Sequence, residues 1–208
     1  MGYPLEIYAK TGMKLESNML RQAGVVLAIG SIFAVGSVMP ARAHGTTERV
    51  SVSSGGAQGN GDSTFQAISA HGRFIAFASA ASNLVPGDTN NLADVFVHDR
   101  QTGETQRVSV SSGGAQGNGS SEYPVISADG RFVAFESYAS NLVPGDTNGW
   151  YDVFIHDRQT GRIQRVSVSS DGDQTVGFVF STDPTLSADG RFVAFSSYAS
   201  NLALQLRF

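Results

Sequence analysis

The chain has 208 residues, of which 41% are hydrophobic, 10% aromatic and 15% charged, which fits a globular fold of one or two domains. Its 24 Gly against 6 Pro point to many turns and short strands, and the absence of Cys excludes disulfides, thiolate zinc sites, iron–sulfur clusters and thiol nucleophiles. A formal net charge of −4 argues against a nucleic-acid partner, which needs a basic face to neutralise phosphates.

Residues 1–43 read as an export signal. Lys10, Lys14 and Arg21 supply the positive start, and residues 23–38 (AGVVLAIGSIFAVGSV) form an uncharged apolar run. Ala41-Arg42-Ala43 then gives the small-x-small site, so cleavage is expected after Ala43. The run has 16 residues, short of the ~20 that cross a bilayer; an uncleaved anchor is the alternative reading. The expected location is therefore the periplasm or the medium, with no membrane contact after cleavage. Without this leader the chain keeps ten Arg, no Lys and sixteen acidic residues, a net of −6 that also repels anionic membranes.

The remaining residues, 44–208, are built from a repeat. Arg49-Val50-Ser51-Val52-Ser53-Ser54 recurs from Arg107 and again from Arg165, a period of 58 both times. Residues 49–106 aligned on 107–164 without gaps give 43 identities in 58 positions. The third unit, 165–208, carries a short insertion between Ser170 and Asp183 and departs from the repeat at Ala203.

Each unit predicts four strands. Strand A is 64–69 (TFQAIS), with counterparts at 122–127 and 184–187. A tight turn at His71-Gly72, Asp129-Gly130 or Asp189-Gly190 follows, where Gly accepts a positive φ. Strand B, 73–79 (RFIAFAS), is a nearly continuous apolar run, as expected of a strand covered on both faces. A longer B–C loop, 83–90, leads to strand C at 94–99 (DVFVHD), and a turn at 100–103 leads to strand D at 104–111. No window shows a helical apolar period, so the mature chain is expected to be all-β. Four antiparallel strands at this period fit the blade of a β-propeller. Counting units gives one leading D strand at 47–53, two full blades and the A–B hairpin of a third: an incomplete propeller of about two and a half blades. The sequence thus reads as a piece of a longer run of blades, through truncation or frameshift, or as a protomer that completes its ring with another copy. An open blade edge of this kind favours self-association.

The runs Ser-Ala-Asp-Gly-Arg-Phe-Val-Ala-Phe (127–135 and 187–195) and Asp-Val-Phe-Ile-His-Asp-Arg-Gln-Thr-Gly (152–161) resemble the blade signature of TolB-type, WD-repeat-like propellers. The resemblance covers residues 47–202 and departs at Ala128 and Ala188, where Pro is usual, and at His71, where Asp is usual. It implies the blade and no particular chemistry, because that family includes periplasmic accessory proteins, peptidase-attached domains and lyases. The function it implies is a non-catalytic binding or scaffold module for a protein or surface glycan. The alternatives are an accessory propeller of a secreted peptidase or polysaccharide lyase, and a calcium-stabilised surface protein.

The B–C loop carries the leading site candidates. Asp88, Asn90 and Asp94 recur as Asp146, Asn148 and Asp152, with oxygens at positions 1, 3 and 7 like the start of a calcium loop. Position 12 would be Asp99 or Asp157, but a strand of six residues holds its two ends roughly 16 Å apart, so one cation cannot take both. The other reading is an Asx-turn in which these side chains cap their own loop. His98 and His156 recur once per blade and read as half-exposed strand residues rather than metal ligands. The Gly-rich stretch 53–61 reads as a flexible crossover between blades, without the Lys of a phosphate loop. Trp150 and Tyr151 replace Leu92 and Ala93 in the second copy, as contact anchors or as local packing.

Overall fold

The computed structural model describes residues 8–10, 46–177 and 179–202. The apolar run of the leader, its cleavage site and residues 203–208 lie outside the described residues. Among those described, every regular element is a strand, and no helix is long and apolar enough to cross a membrane.

A short antiparallel ribbon pairs β1 (Tyr8–Lys10) with β2 (Thr47–Arg49). The first unit then forms a four-stranded antiparallel sheet of β3 (Ser63–Ile68), β4 (Phe74–Ser79), β5 (Asp94–Asp99) and β6 (Thr105–Arg107), hydrogen-bonded in chain order. The second repeats it with β7 (Ser121–Ile126), β8 (Phe132–Ser137), β9 (Asp152–Asp157) and β10 (Arg162–Arg165). The third contributes the hairpin β11 (Ser181–Leu186) and β12 (Val193–Ser197). The expected C strand matches β5 residue for residue. Three expectations shift by more than one residue. The leading D strand, expected over 47–53, forms only over Thr47–Arg49. The third A strand begins at Ser181 rather than at 184, because Ser181 donates its N–H to Tyr151 O and its hydroxyl pairs with that of Ser197. Strand D is cut to Thr105–Arg107, because Val95 N–H is taken by the Ser109 hydroxyl instead of a ladder carbonyl.

Large and small side chains are segregated by face. On β4 and β5, Ile75, Phe77 and Phe96 fill one side with Val50 and Leu84, while Ala76, Val95 and Val97 face the other. That smaller face receives Val133, Phe135 and Phe154 of the second sheet, so the broad face of the second blade seats on the narrow face of the first. Each such fully buried side chain contributes roughly 1.5–3 kcal/mol. The A strand of each unit packs over the previous sheet: β7 against β3, β4 and β5, and β11 against β7, β8 and β9. The A–B turns are joined in series, Ala70 N–H to Ala128 O at 3.1 Å and Ala128 N–H to Ala188 O at 2.8 Å. Chain-ordered four-stranded sheets stacked face to face with A strands innermost are propeller blades. The described residues form an all-β, incomplete and unclosed propeller.

Each A strand carries a bulge, marked by a register shift and by positive φ at Phe65 (52°), Tyr123 (51°) and Asp183 (55°). For non-glycine residues this conformation is uncommon. The bulge lifts the side chain out of the sheet, and the Phe65 and Tyr123 rings meet with centroids 3.9 Å apart.

Candidate functional site: the B–C loops and an aromatic pocket

The acidic triads come together, and in both units an arginine closes them. Arg107 from the D strand places Nη1 3.3 Å from both Asp88 Oδ1 and Asp94 Oδ2. Asn90 Nδ2 donates to Asp94 Oδ2 at 3.0 Å, its Oδ1 accepts Leu92 N–H at 3.0 Å, and the Ser109 hydroxyl donates to Asp94 Oδ1. The second unit repeats this. Arg165 Nη1 lies 3.0 Å from Asp146 Oδ1 and 3.5 Å from Asp152 Oδ2, Asn148 donates to Asp152 at 2.8 Å, and Trp150 N–H donates to Asn148 Oδ1 at 3.1 Å. The contact from Leu92 or Trp150 N–H to the Asn side chain is the Asx-turn. A guanidinium thus sits among the carboxylates that the spacing offered to calcium. Burial, reinforced by the neighbouring Asp152 charge, raises the Asp146 carboxyl to about 6 against the opposing pull of Arg165. Asp88 is raised for the same reasons. At the far end of each C strand Asp99 and Asp157 are held well below the usual carboxylate range by two-point hydrogen bonds from Arg73 and Arg131, at 2.7 and 2.9 Å in each pair.

The histidines are buried rather than half-exposed, and burial lowers the pKa of both. His98 Nδ1 is 2.9 Å from the Thr105 hydroxyl, which donates onward to Val52 O. In the second unit Ile163 stands where Thr105 does, and both ring nitrogens of His156 are left without a partner. The Gly-rich crossover, expected to be flexible, is clamped: Asn83 accepts from Asn60 N–H and donates to Gln58 O, and Asn141 does the same with Asn118 and Gln116.

Trp150 and Tyr151 border a pocket of about 440 Å³ between the second sheet and the third hairpin. Its walls are Tyr123 at the bulge, Tyr138 at the end of β8, Trp150 and Tyr151 entering β9, and Phe180 entering β11, with Glu122, Glu136 and Thr182 among them. Tyr138 and Tyr151 meet at 5.4 Å, and Phe180 packs edge-on against Tyr198 at 5.1 Å. Glu136 is 4% exposed and accepts the Asp183 N–H at 2.7 Å; burial raises its pKa. Tyr123, Tyr138 and Phe180 are each at least 40% exposed, so exposed aromatic side chains gather at the pocket.

Apart from Trp150 and Tyr151, the sequence reading passed over this pocket. A signal existed in what does not repeat. The second unit differs from the first at fifteen positions, and six of them line the pocket: Glu122, Tyr123, Glu136, Tyr138, Trp150 and Tyr151, in place of Thr64, Phe65, Ala78, Ala80, Leu92 and Ala93. Phe180, just beyond the insertion, stands where Ser120 and Asp62 do in the other units: in each the carbonyl accepts the N–H of the residue after the B strand, Tyr198, Tyr138 or Ala80.

No family model matches the chain, and no curated protein matches it. Among solved structures it is similar to a putative TolB from Agrobacterium tumefaciens, at 18% identity and a TM-score of 0.44 over 67% of this chain and 39% of that one. It is also similar to the tricorn protease, at 18% identity and 0.44 over 74% and 12%, and to oligogalacturonate lyase in complex with manganese, at 14% identity and 0.39 over 71% and 34%. The chain spans well under half the length of each of these proteins.

Proposed function

We propose that this chain is the propeller portion of an exported, TolB-like protein that works as a binding or scaffold module and carries out no chemistry itself. The observation that supports this most is the clustering of second-unit departures around one pocket. Two near-identical blades keep their frame residues and diverge where aromatic side chains face solvent, which is how a repeat scaffold acquires a recognition surface. The frame beneath is rigid, since each B–C loop is tied to its own D strand through Arg107 or Arg165. Several groups capable of chemistry are otherwise engaged: Asp99 and Asp157 with arginines, and His98 with Thr105.

The partner surface is the B–C loop end of the second blade, centred on Trp150 and Tyr151, and the partner is a protein or a surface glycan. The test is cross-linking in the compartment to which the full-length protein is exported, comparing wild type with a Trp150→Ala/Tyr151→Ala variant and with Leu92→Ala in the first blade. The double variant should lose the cross-linked partner while Leu92→Ala keeps it. Equal cross-linking by all three would overturn the assignment of the surface.

A further inference from the structure

We infer that the pocket between the second and third blades binds an organic cation, of the class of a quaternary or alkylated ammonium group. The inference rests on the binding-module reading and names the ligand chemistry of its surface. Three features of the pocket carry it.

Glu122 and Glu136 are direct cross-strand partners on β7 and β8. Like charges at such a position destabilise a sheet. The corresponding pairs are Thr64 with Ala78 in the first unit and Thr182 with Ser196 in the third, so of the three units the second alone accepts this repulsion. Both carboxylates line the pocket, and among the described residues no Lys, Arg or His lines it with them. The two acids therefore face a cavity without a cationic side chain in its walls to offset them.

Apart from the Thr182 hydroxyl, the remaining walls are aromatic. Tyr123, Tyr138, Trp150, Tyr151 and Phe180 line the pocket, with the Tyr138 and Tyr151 rings in contact. The faces of such rings carry negative electrostatic potential and attract cations, most strongly desolvated alkylammonium groups, while the alkyl groups bury against the rings. A neutral sugar would stack on the same rings but would leave the paired carboxylates uncompensated. A bare metal ion would leave the ring faces unused, and among the described residues no group of three or more acidic or histidine side chains is placed to hold one. A positive charge clothed in methyl groups satisfies both walls at once. The acids and aromatics are also positions at which the second unit departs from the first, so charge and rings occur together in the same blade.

Trp150 is the only tryptophan of the chain, and its emission reports on the pocket directly. The experiment titrates the full-length protein with choline chloride and with its neutral carbon isostere, 3,3-dimethylbutan-1-ol, against sodium chloride at matched ionic strength. Choline should change Trp150 emission saturably, the alcohol should bind at least about tenfold more weakly, and sodium should do nothing. Glu136→Gln and Glu122→Gln should each weaken choline several-fold. The carboxamide oxygen introduced by Glu136→Gln can still accept the Asp183 N–H, and position 122 is half-buried at the rim, so both variants keep the fold. Equal binding of choline and the alcohol would overturn the cation assignment while leaving a binding pocket in place. No response to either would also overturn it, and the cross-linking comparison would then judge the module reading separately.

Discussion

His98 and His156 occupy the same place in two blades and differ in their partners on the D strand, Thr105 against Ile163, and on the B strand, Ile75 against Val133. Thr105 satisfies the first imidazole, whereas Ile163 leaves the second with two unpartnered nitrogens in a fully buried position. An unsatisfied buried polar group costs about 1–3 kcal/mol, so His156→Phe should be neutral or stabilising. His98→Phe should destabilise, because the buried Thr105 hydroxyl, while keeping Val52 O as its acceptor, loses its hydrogen bond to the imidazole. The difference is also pH-dependent. Burial lowers the folded pKa of His156 below its unfolded value of about 6.5, so the folded chain binds fewer protons than the unfolded chain just below that pH. The stability contributed by the neutral imidazole is present above about pH 6.5 and is lost as the pH falls through it. The melting-temperature advantage of His156→Phe should therefore widen between about pH 8 and about pH 5.5; a constant gap would mean that His156 does not titrate with folding.

At the scale of the element, the B–C loop and the A–B turn each hold a blade in shape by different means. In the loop, Asp152 accepts from Ser167, Asn148 and Arg165 while fully buried. Asp152→Ala breaks this set and leaves Arg165 short of a buried partner, an expected loss of about 3–5 kcal/mol in denaturant unfolding. Because the guanidinium lies where a loop cation would, excess calcium should leave the melting temperature unchanged; a rise would show that calcium binds the native chain. In the turn, Gly130 has φ 77° and an added Cβ would lie 2.0 Å from the Phe74 ring of the preceding blade. That ring is itself flanked by the Arg73 and Arg158 guanidinium groups at 4.7 and 4.6 Å. Gly87 has a similar φ of 73° and open space around it. Gly87→Ala should cost only the left-handed backbone penalty of about 1–2 kcal/mol, and Gly130→Ala clearly more, since a ring must also move. Equal losses would place Phe74 elsewhere.

For the whole molecule, the strands and their order were legible because the blades are built from local signals: a turn glycine, a doubly covered apolar run, a sharp loop. β4 and β5 could be read from such patterns alone. β11 could not be bounded, because Asp183 and Pro184 are disfavoured in strands, and the neighbouring blade holds this stretch through Tyr151 to Ser181 and Glu136 to Asp183. The arginine that closes each acidic loop also escaped notice, since Arg107 and Asp94 are brought together only by the D strand folding back on C. The pocket was half legible for a related reason. Trp150 and Tyr151 stand out in a loop, but Glu122 and Glu136 belong to separate strands whose register decides that they meet.

All of this rests on radial stacking in chain order, each blade touching the next. The chain has no cysteine, so introduced pairs report cleanly. Ala70 and Ala128 are joined by a main-chain hydrogen bond of 3.1 Å and Ala128 and Ala188 by one of 2.8 Å, a proximity that suits a disulfide between the turns. On mild oxidation, Ala70→Cys/Ala128→Cys and Ala128→Cys/Ala188→Cys should cross-link within one chain, and Ala70→Cys/Ala188→Cys should not. Failure of the adjacent pairs, or equal cross-linking by the distant one, would contradict the stacking.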